Sequence, residues 1–295
     1  MSIEPKIERI SNLGVEEKRG MDRPGSTAEV ARDLTEQELK EEIYRLAPFH
    51  HKISLPYGLN THIAEKSRRA VEYTRVDNLV RHAFPALLNA CGGSLRGKRV
   101  LDVACNCGGF SVEAAKRGAE YVLGFDSVEH YIDQANLVKH ALRLGQVDFR
   151  RIDVDEIDVS TVGQFDITFC FGILYHLENP MLAMKRLSSV TQHVMLVDTD
   201  LEHISWRRRP FCSFFARKPF WLMNVASASG PESSSVTTSL WRKDKAVQFR
   251  PTDVAVVELL KFLGFPRVAK LKPALKPVET RYVTGGRGIF LASRE

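Results

Sequence analysis

Long apolar runs are missing from this 295-residue chain. No stretch approaches the roughly 20 residues that a membrane span needs, so a soluble protein without a membrane partner is expected. The first twenty residues, MSIEPKIERISNLGVEEKRG, mix charges of both signs and have no apolar centre. That excludes a secretory signal and an Arg-rich transit peptide, and a cytoplasmic location is the expectation. Cysteine is scarce and odd in number (Cys91, Cys105, Cys107, Cys170 and Cys212), which argues against a disulfide scaffold. Cys105 and Cys107 form a C-x-C with no second Cys or His pair at zinc spacing, so packing of small residues is preferred to a metal site. Adjacent His50 and His51 are likewise poor chelators. G-x-G-x-x-G is absent as well, which disfavours a nicotinamide-dependent dehydrogenase. The net charge of +6 admits nucleic acid or an acidic small molecule as partner without requiring either.

What the chain does have is a short apolar run that ends in an acid and breaks into small residues, RVLDVACNCGGF from Arg99 to Phe110. It reads as a buried parallel strand, a tight turn and the start of a helix, with a ligand expected outside the carboxyl end of the strand. A second strand, Tyr121 to Phe125, ends at Asp126, an acid suited to accepting from both hydroxyls of a ribose. Further strands are expected at Val147 to Ile152 (ending at Asp153), Phe165 to Phe171 and His193 to Thr199. Helices are expected at Val71 to Ala90, Ser111 to Gly118, Val128 to Leu144 and Met181 to Val190. Regular alternation with short connections implies an α/β, doubly wound, Rossmann-like sheet that is mostly parallel.

Four segments follow. Residues 1–70 are a flexible leader and a helical extension, the helix starting at a Thr35–Glu38 capping box, with a short strand and turn near His50 to Gly58. Residues 71–200 are the nucleotide-binding core. Residues 201–250 are an irregular insertion rich in aromatics, arginine and serine, read as a lid or substrate element. Residues 251–295 return to the core with a helix, Thr252 to Leu263, and strands at Val268 to Lys272 and Gly288 to Ala292 that form an antiparallel edge pair.

In order, DVACNCGGF, GFD, RIDV and FDITFCFGILYHLENP resemble a class I S-adenosylmethionine-dependent methyltransferase over about residues 70 to 295. LPYGLNT, VACNCGGFS, GILYHLENP and GRGIFLASR are similar to the branch related to bacterial tRNA wobble-uridine carboxymethyltransferases, which also contains enzymes of small metabolites. The resemblance implies a seven-stranded sheet with S-adenosylmethionine as cofactor and S-adenosylhomocysteine as product. It implies cofactor contacts from Asp102, Ala104, Cys105, Asn106, Cys107, Gly108 and Phe110 to the methionine part, and from Asp126 and Ser127 to the ribose. Asp153 and Val154 would meet the adenine, and Phe171, Gly172 and Ile173 the sulfonium side. Ala104 replaces the first glycine usual in the turn, which implies a negative φ there. Thr74 and Leu177 stand where the wobble-uridine enzymes carry a lysine and an arginine for an extra carboxylate, while Arg287 keeps a third cation. The loss favours ordinary S-adenosylmethionine over the carboxylated form.

Methyl transfer needs position, desolvation and, for a hydroxyl acceptor, a base. His176 and Tyr175, just after the fourth strand, are the candidate catalytic residues. Tyr57, Trp206, Arg207, Phe211, Phe215, Trp241 and Arg287 are candidates to bind the acceptor. The expected activity is methylation of an oxygen or nitrogen of a small molecule of specialised metabolism. The alternatives are modification of a tRNA wobble uridine and a cofactor-binding protein without turnover. Monomer and homo-oligomer both stay open.

Overall fold

The computed structural model describes residues 33–63, 74–202, 219, 221–227, 241–242, 245–272 and 280–295. The first helix, α1 (Glu36–Leu46), starts at the expected capping box. The Thr35 side chain accepts from the Glu38 amide, and Glu38 accepts from the Thr35 amide at 2.9 Å. Beyond it, the expected strand near His50 to Gly58 reduces to one bridge, Ser54 to Asn60, around a tight turn at Pro56–Gly58.

The alternating run then follows, with α2 (Thr74–Ala90), β1 (Arg99–Val103), α3 (Gly109–Lys116), β2 (Tyr121–Asp126), α4 (Glu129–Ala141) and β3 (Val147–Arg151). Next come α5 (Val159–Val162), β4 (Phe165–Phe171), α6 (Pro180–Val190) and β5 (Thr191–Asp200). The chain continues through β6 (Trp221–Ser227), β7 (Trp241–Arg242), β8 (Lys245–Pro251), α7 (Asp253–Phe262), β9 (Arg267–Leu271), α8 (Thr280–Thr284) and β10 (Arg287–Ser293). Among the described residues no helix is long and apolar enough to cross a membrane.

Seven strands form one sheet in the order β3-β2-β1-β4-β5-β10-β9. β1 runs parallel to β2 and β4, and β10 runs antiparallel to both β5 and β9. The expected mostly parallel sheet with an antiparallel edge pair is therefore what forms. Successive β1 residues serve opposite faces. Val100 joins Phe84 and Leu87 of α2, whereas Leu101 joins Met184 and Leu187 of α6. Burial on both sides is why Val100, Leu101 and Val103 are all apolar, Asp102 being the buried exception. Strand order reverses at β1 and β4, and their carboxyl ends open the crevice where this architecture takes its ligands.

The segment before the core packs on it. Leu39, Ile43 and Leu46 of α1, with Phe49, Ile53 and Leu55, cover Val112 of α3 and Leu137 and Val138 of α4. One expectation needs correction here. Residues 201–250 are not irregular throughout, because β6, β8 and β7 make a small antiparallel sheet. Its strands hide among aromatic and basic residues whose alternation is weak, and backbone pairing across a long connection is not visible in local pattern. β8 packs against the turn Leu174–His176 that follows β4.

Candidate active site

The turn after β1 is held by its own backbone. The Cys105 amide donates to the Phe125 carbonyl at 2.9 Å, and the Gly108 amide to the Cys105 carbonyl at 2.9 Å. The expected negative φ at Ala104 is not found, since φ is +53° there and +51° at Asn106. Each left-handed non-glycine residue costs about 1–2 kcal/mol, offset here by the bonds that fix the turn. Gly108 is different in kind. It has φ +81°, and a Cβ on it would lie 2.5 Å from the Phe149 ring, so only glycine fits. The Cys105 and Cys107 thiols are buried within the turn, and burial pushes the Cys107 thiol up to about 12. Among the described residues no cluster of three or more His, Cys, Asp or Glu is placed to hold a metal ion.

Asp126, at the end of β2, reaches the same turn. Its Oδ2 accepts from the Asn106 amide at 3.0 Å and its Oδ1 from the Val128 amide at 3.1 Å. Burial raises its pKa to about 6, against the pull of those amides. Each oxygen keeps further acceptor capacity, so a buried acceptor-only carboxylate at the crevice fits a diol such as ribose. Ser127 beside it is half-buried, and its carbonyl accepts from Arg151. Asp153 is exposed past the end of β3, where its Oδ1 accepts from the Asp155 amide at 3.0 Å and caps a short turn. Val154 of that turn is buried.

Asp102 takes a role other than the contact expected of it. It is 1% exposed and accepts from the Ser111 hydroxyl at 2.6 Å, so it braces α3 against β1 and offers no surface to a ligand. Burial raises its pKa to about 7 from an ordinary 3.8. The folded state thus holds this proton more tightly than the unfolded chain, and stability falls as pH rises from about 4 to about 7. Replacing Asp102 with Asn removes that share. The difference in unfolding free energy between pH 5 and pH 8, from denaturant titration, is expected to narrow by about 2–3 kcal/mol relative to wild type. An unchanged gap would refute the assignment.

Beyond β4 the chain passes Phe171, Gly172 and Ile173 into the turn that carries both candidate catalytic residues. The Phe171 ring meets the Phe110 ring at 4.7 Å, so two expected cofactor contacts adjoin. Gly172 and Ile173 are half-buried. Tyr175 is buried and its ring centroid lies 4.2 Å from that of His176, which is half-buried. The Gly172 amide donates to the Asp198 carbonyl at 2.8 Å, tying this loop to β5.

Behind the loop lies a cluster that the sequence reading missed. Arg287, 1% exposed, donates from Nε to Asp198 at 3.0 Å and from Nη1 to Asp200 at 2.7 Å, and its Nη2 also pairs with Asp198. The Tyr282 hydroxyl donates to Asp198 at 2.7 Å, and the Arg281 Nη1 to Asp200 at 2.9 Å. The Arg287 guanidinium carbon also lies 5.7 Å from the Tyr175 ring centroid. Arg287 as an acceptor-binding cation is therefore corrected, because all three of its nitrogens are committed inside the protein. Two acids two residues apart at the end of an expected strand, Asp198 and Asp200 in LVDTD, were the sequence signal for it.

Of the other expected acceptor residues, Trp206, Arg207, Phe211 and Phe215 lie outside the described residues, and Trp241 opens β7. Tyr57 is 56% exposed at φ +60° and donates its hydroxyl to the Leu34 carbonyl at 3.0 Å. The structure thus assembles Ala104 to Phe110, Asp126 and Phe171 into one site. It leaves Tyr57 on the preceding segment, bonded back to Leu34.

The strand order and the acid-bearing turns define a class I methyltransferase fold. Residues 94–205 match the model of a methyltransferase domain. Similar curated proteins include two ubiquinone biosynthesis O-methyltransferases. That of Acinetobacter baylyi is 33% identical over 100 residues (34% of this chain, 42% of that protein). That of Dechloromonas aromatica is 46% identical over 88 residues (30% and 37%). The chain thus spans about two fifths of the length of the curated relatives it matches. Among solved structures, the N-terminal domain of EvdMO1 crystallised with S-adenosylhomocysteine and D-fucose has the same fold. Its TM-score is 0.63 at 16% identity, covering 89% of this chain and 98% of that one.

Proposed function

We propose that the protein is an enzyme that uses S-adenosylmethionine to methylate a small-molecule acceptor, at oxygen rather than nitrogen. The observation that carries this reading is the bond from the Asn106 amide to Asp126, which joins the turn after β1 to the acid after β2 at the crevice. The matched relatives are named for O-methylation, which favours oxygen. When bound, S-adenosylmethionine supplies a methyl group already activated by its sulfonium. Asp126 would accept from the ribose hydroxyls, Asp153 and Val154 would receive the adenine, and the turn from Ala104 to Gly108 would meet the methionine part. Phe110, Phe171 and Ile173 would wall the crevice and exclude water.

An alcohol or phenol acceptor must lose its proton as it reacts, and His176 is the base of choice, with Tyr175 orienting the acceptor. β8, packed against that turn, would form the opposing wall and make residues 201–250 the acceptor element. A kinship with the wobble-uridine enzymes loses its support at Arg287, the one cation retained for an extra carboxylate, because that side chain is neutralised by Asp198 and Asp200.

The test is incubation of the full chain with methyl-labelled S-adenosylmethionine and either a metabolite extract or bulk tRNA. Label is expected in an alkali-stable small-molecule ether. Label in tRNA would replace this reading with the RNA one, and tight cofactor binding with no transfer would indicate a protein without turnover.

A further inference from the structure

His51 lies on the segment before the core, yet its side chain is built into the turn after β1. The first residue of α3 is Gly109, and its N-cap is Gly108, which makes no side-chain cap bond. A helix start leaves its first amides without partners, and an N-cap side chain ordinarily satisfies one of them. Gly108 cannot do so, and the Phe149 ring forbids any larger residue there. The partner comes from 58 positions upstream, where His51 Nδ1 accepts from the Gly109 amide at 3.2 Å. An amide can only donate, so Nδ1 is the unprotonated nitrogen of a neutral ring.

Further contacts hold the His51 ring, its backbone and the chain just before it. His51 is 4% exposed, and its ring meets the Phe110 ring edge-on at 5.3 Å. The His51 amide donates to Cys107 Sγ at 3.3 Å, and its carbonyl accepts from the Thr61 hydroxyl at 2.6 Å. Gln134 of α4 donates to the Leu46 and Pro48 carbonyls at 2.7 and 2.9 Å, anchoring the chain just before it. At Gly109 a Cβ would lie 2.6 Å from His51 Nδ1, so the close approach requires glycine.

We infer that His51 is a positioning residue for the cofactor, capping α3 in trans through the Gly109 amide and so holding the strained turn from Ala104 to Gly108 in its binding shape. The inference rests on the reading of that turn as the cofactor site. His51→Phe keeps the ring beside Phe110 but has no acceptor, whereas His51→Asn places an amide oxygen where Nδ1 was. In calorimetry with S-adenosylhomocysteine, His51→Phe is expected to weaken binding about tenfold and His51→Asn to recover most of the loss. In ¹⁵N-labelled wild type, a scalar coupling across the hydrogen bond is expected between the Gly109 amide and His51 Nδ1. That measurement decides the matter even if His51→Phe does not fold.

Wild-type affinity in His51→Phe, equal loss in both variants, or absence of the coupling would each overturn the inference. Those results leave the cofactor reading intact as long as the wild type binds S-adenosylhomocysteine. A wild type that does not bind it overturns that reading, and the role of His51 with it.

Discussion

Asp126→Ala is expected to lower the affinity for S-adenosylhomocysteine by at least about 100-fold, measured by calorimetry on the full chain. Two charge-assisted hydrogen bonds to ribose hydroxyls are worth about 1.5–3 kcal/mol each, so their joint loss reaches that factor before any change in the turn. The change in the turn adds to it, because the same carboxylate holds the Asn106 amide at φ +51° and the Val128 amide at the entry to α4. In the proposed site the hydroxyls would bind ionised Asp126, whose pKa burial has raised to about 6 in the free protein. Affinity should therefore be flat above pH 6 and weaken about tenfold per unit below it. Asp126→Asn keeps one acceptor oxygen, and an intermediate affinity is expected of it. Unaltered binding by a folded Asp126→Ala protein would remove Asp126 from the site.

Arg287→Met is expected to be strongly destabilising, lowering unfolding free energy by about 3–5 kcal/mol in denaturant titration. It leaves Asp198, fully buried, with its cationic partner gone. Burial by itself pulls the Arg287 pKa down, and the Asp198 carboxylate more than reverses it, so each charge depends on the other. The double variant Asp198→Asn with Arg287→Met should recover much of the loss, because it removes both charges. Stability equal to wild type in the single variant would mean that the pair contributes nothing. The consequence reaches the site as well. The Asp198 carbonyl accepts from the Gly172 amide, and the Arg287 guanidinium lies near Tyr175, so the loop after β4 should loosen in the single variant. Faster hydrogen exchange at Gly172 is the expected sign.

Strand identity was legible from the sequence where each residue's neighbours along the chain impose it. Val100, Leu101 and Val103 are apolar on both faces because β1 is covered on both, and the acids Asp102, Asp126 and Asp153 mark where the β-strands give way to turns at one edge. The capping box of Thr35 and Glu38 is equally local, its partners three residues apart. Those features set the α/β alternation, the crevice and the class of cofactor expected in it.

The tertiary structure decided the rest. That Asp102 braces Ser111 and Asp126 holds Asn106 depends on strands closing side by side, since both acids looked alike as strand-end carboxylates. Arg287 is 89 positions from Asp198 and His51 is 58 from Gly109. At such separations no spacing rule links the partners. Only the closure of β10 against β5, and of the α1 segment over α3 and α4, brings them within hydrogen-bonding distance. Local periodicity determines which segments become strands and helices, because it follows from the geometry of one chain segment. Which buried charge meets which, and whether Ala104 turns left-handed, depend on the bonds that the assembled neighbours supply.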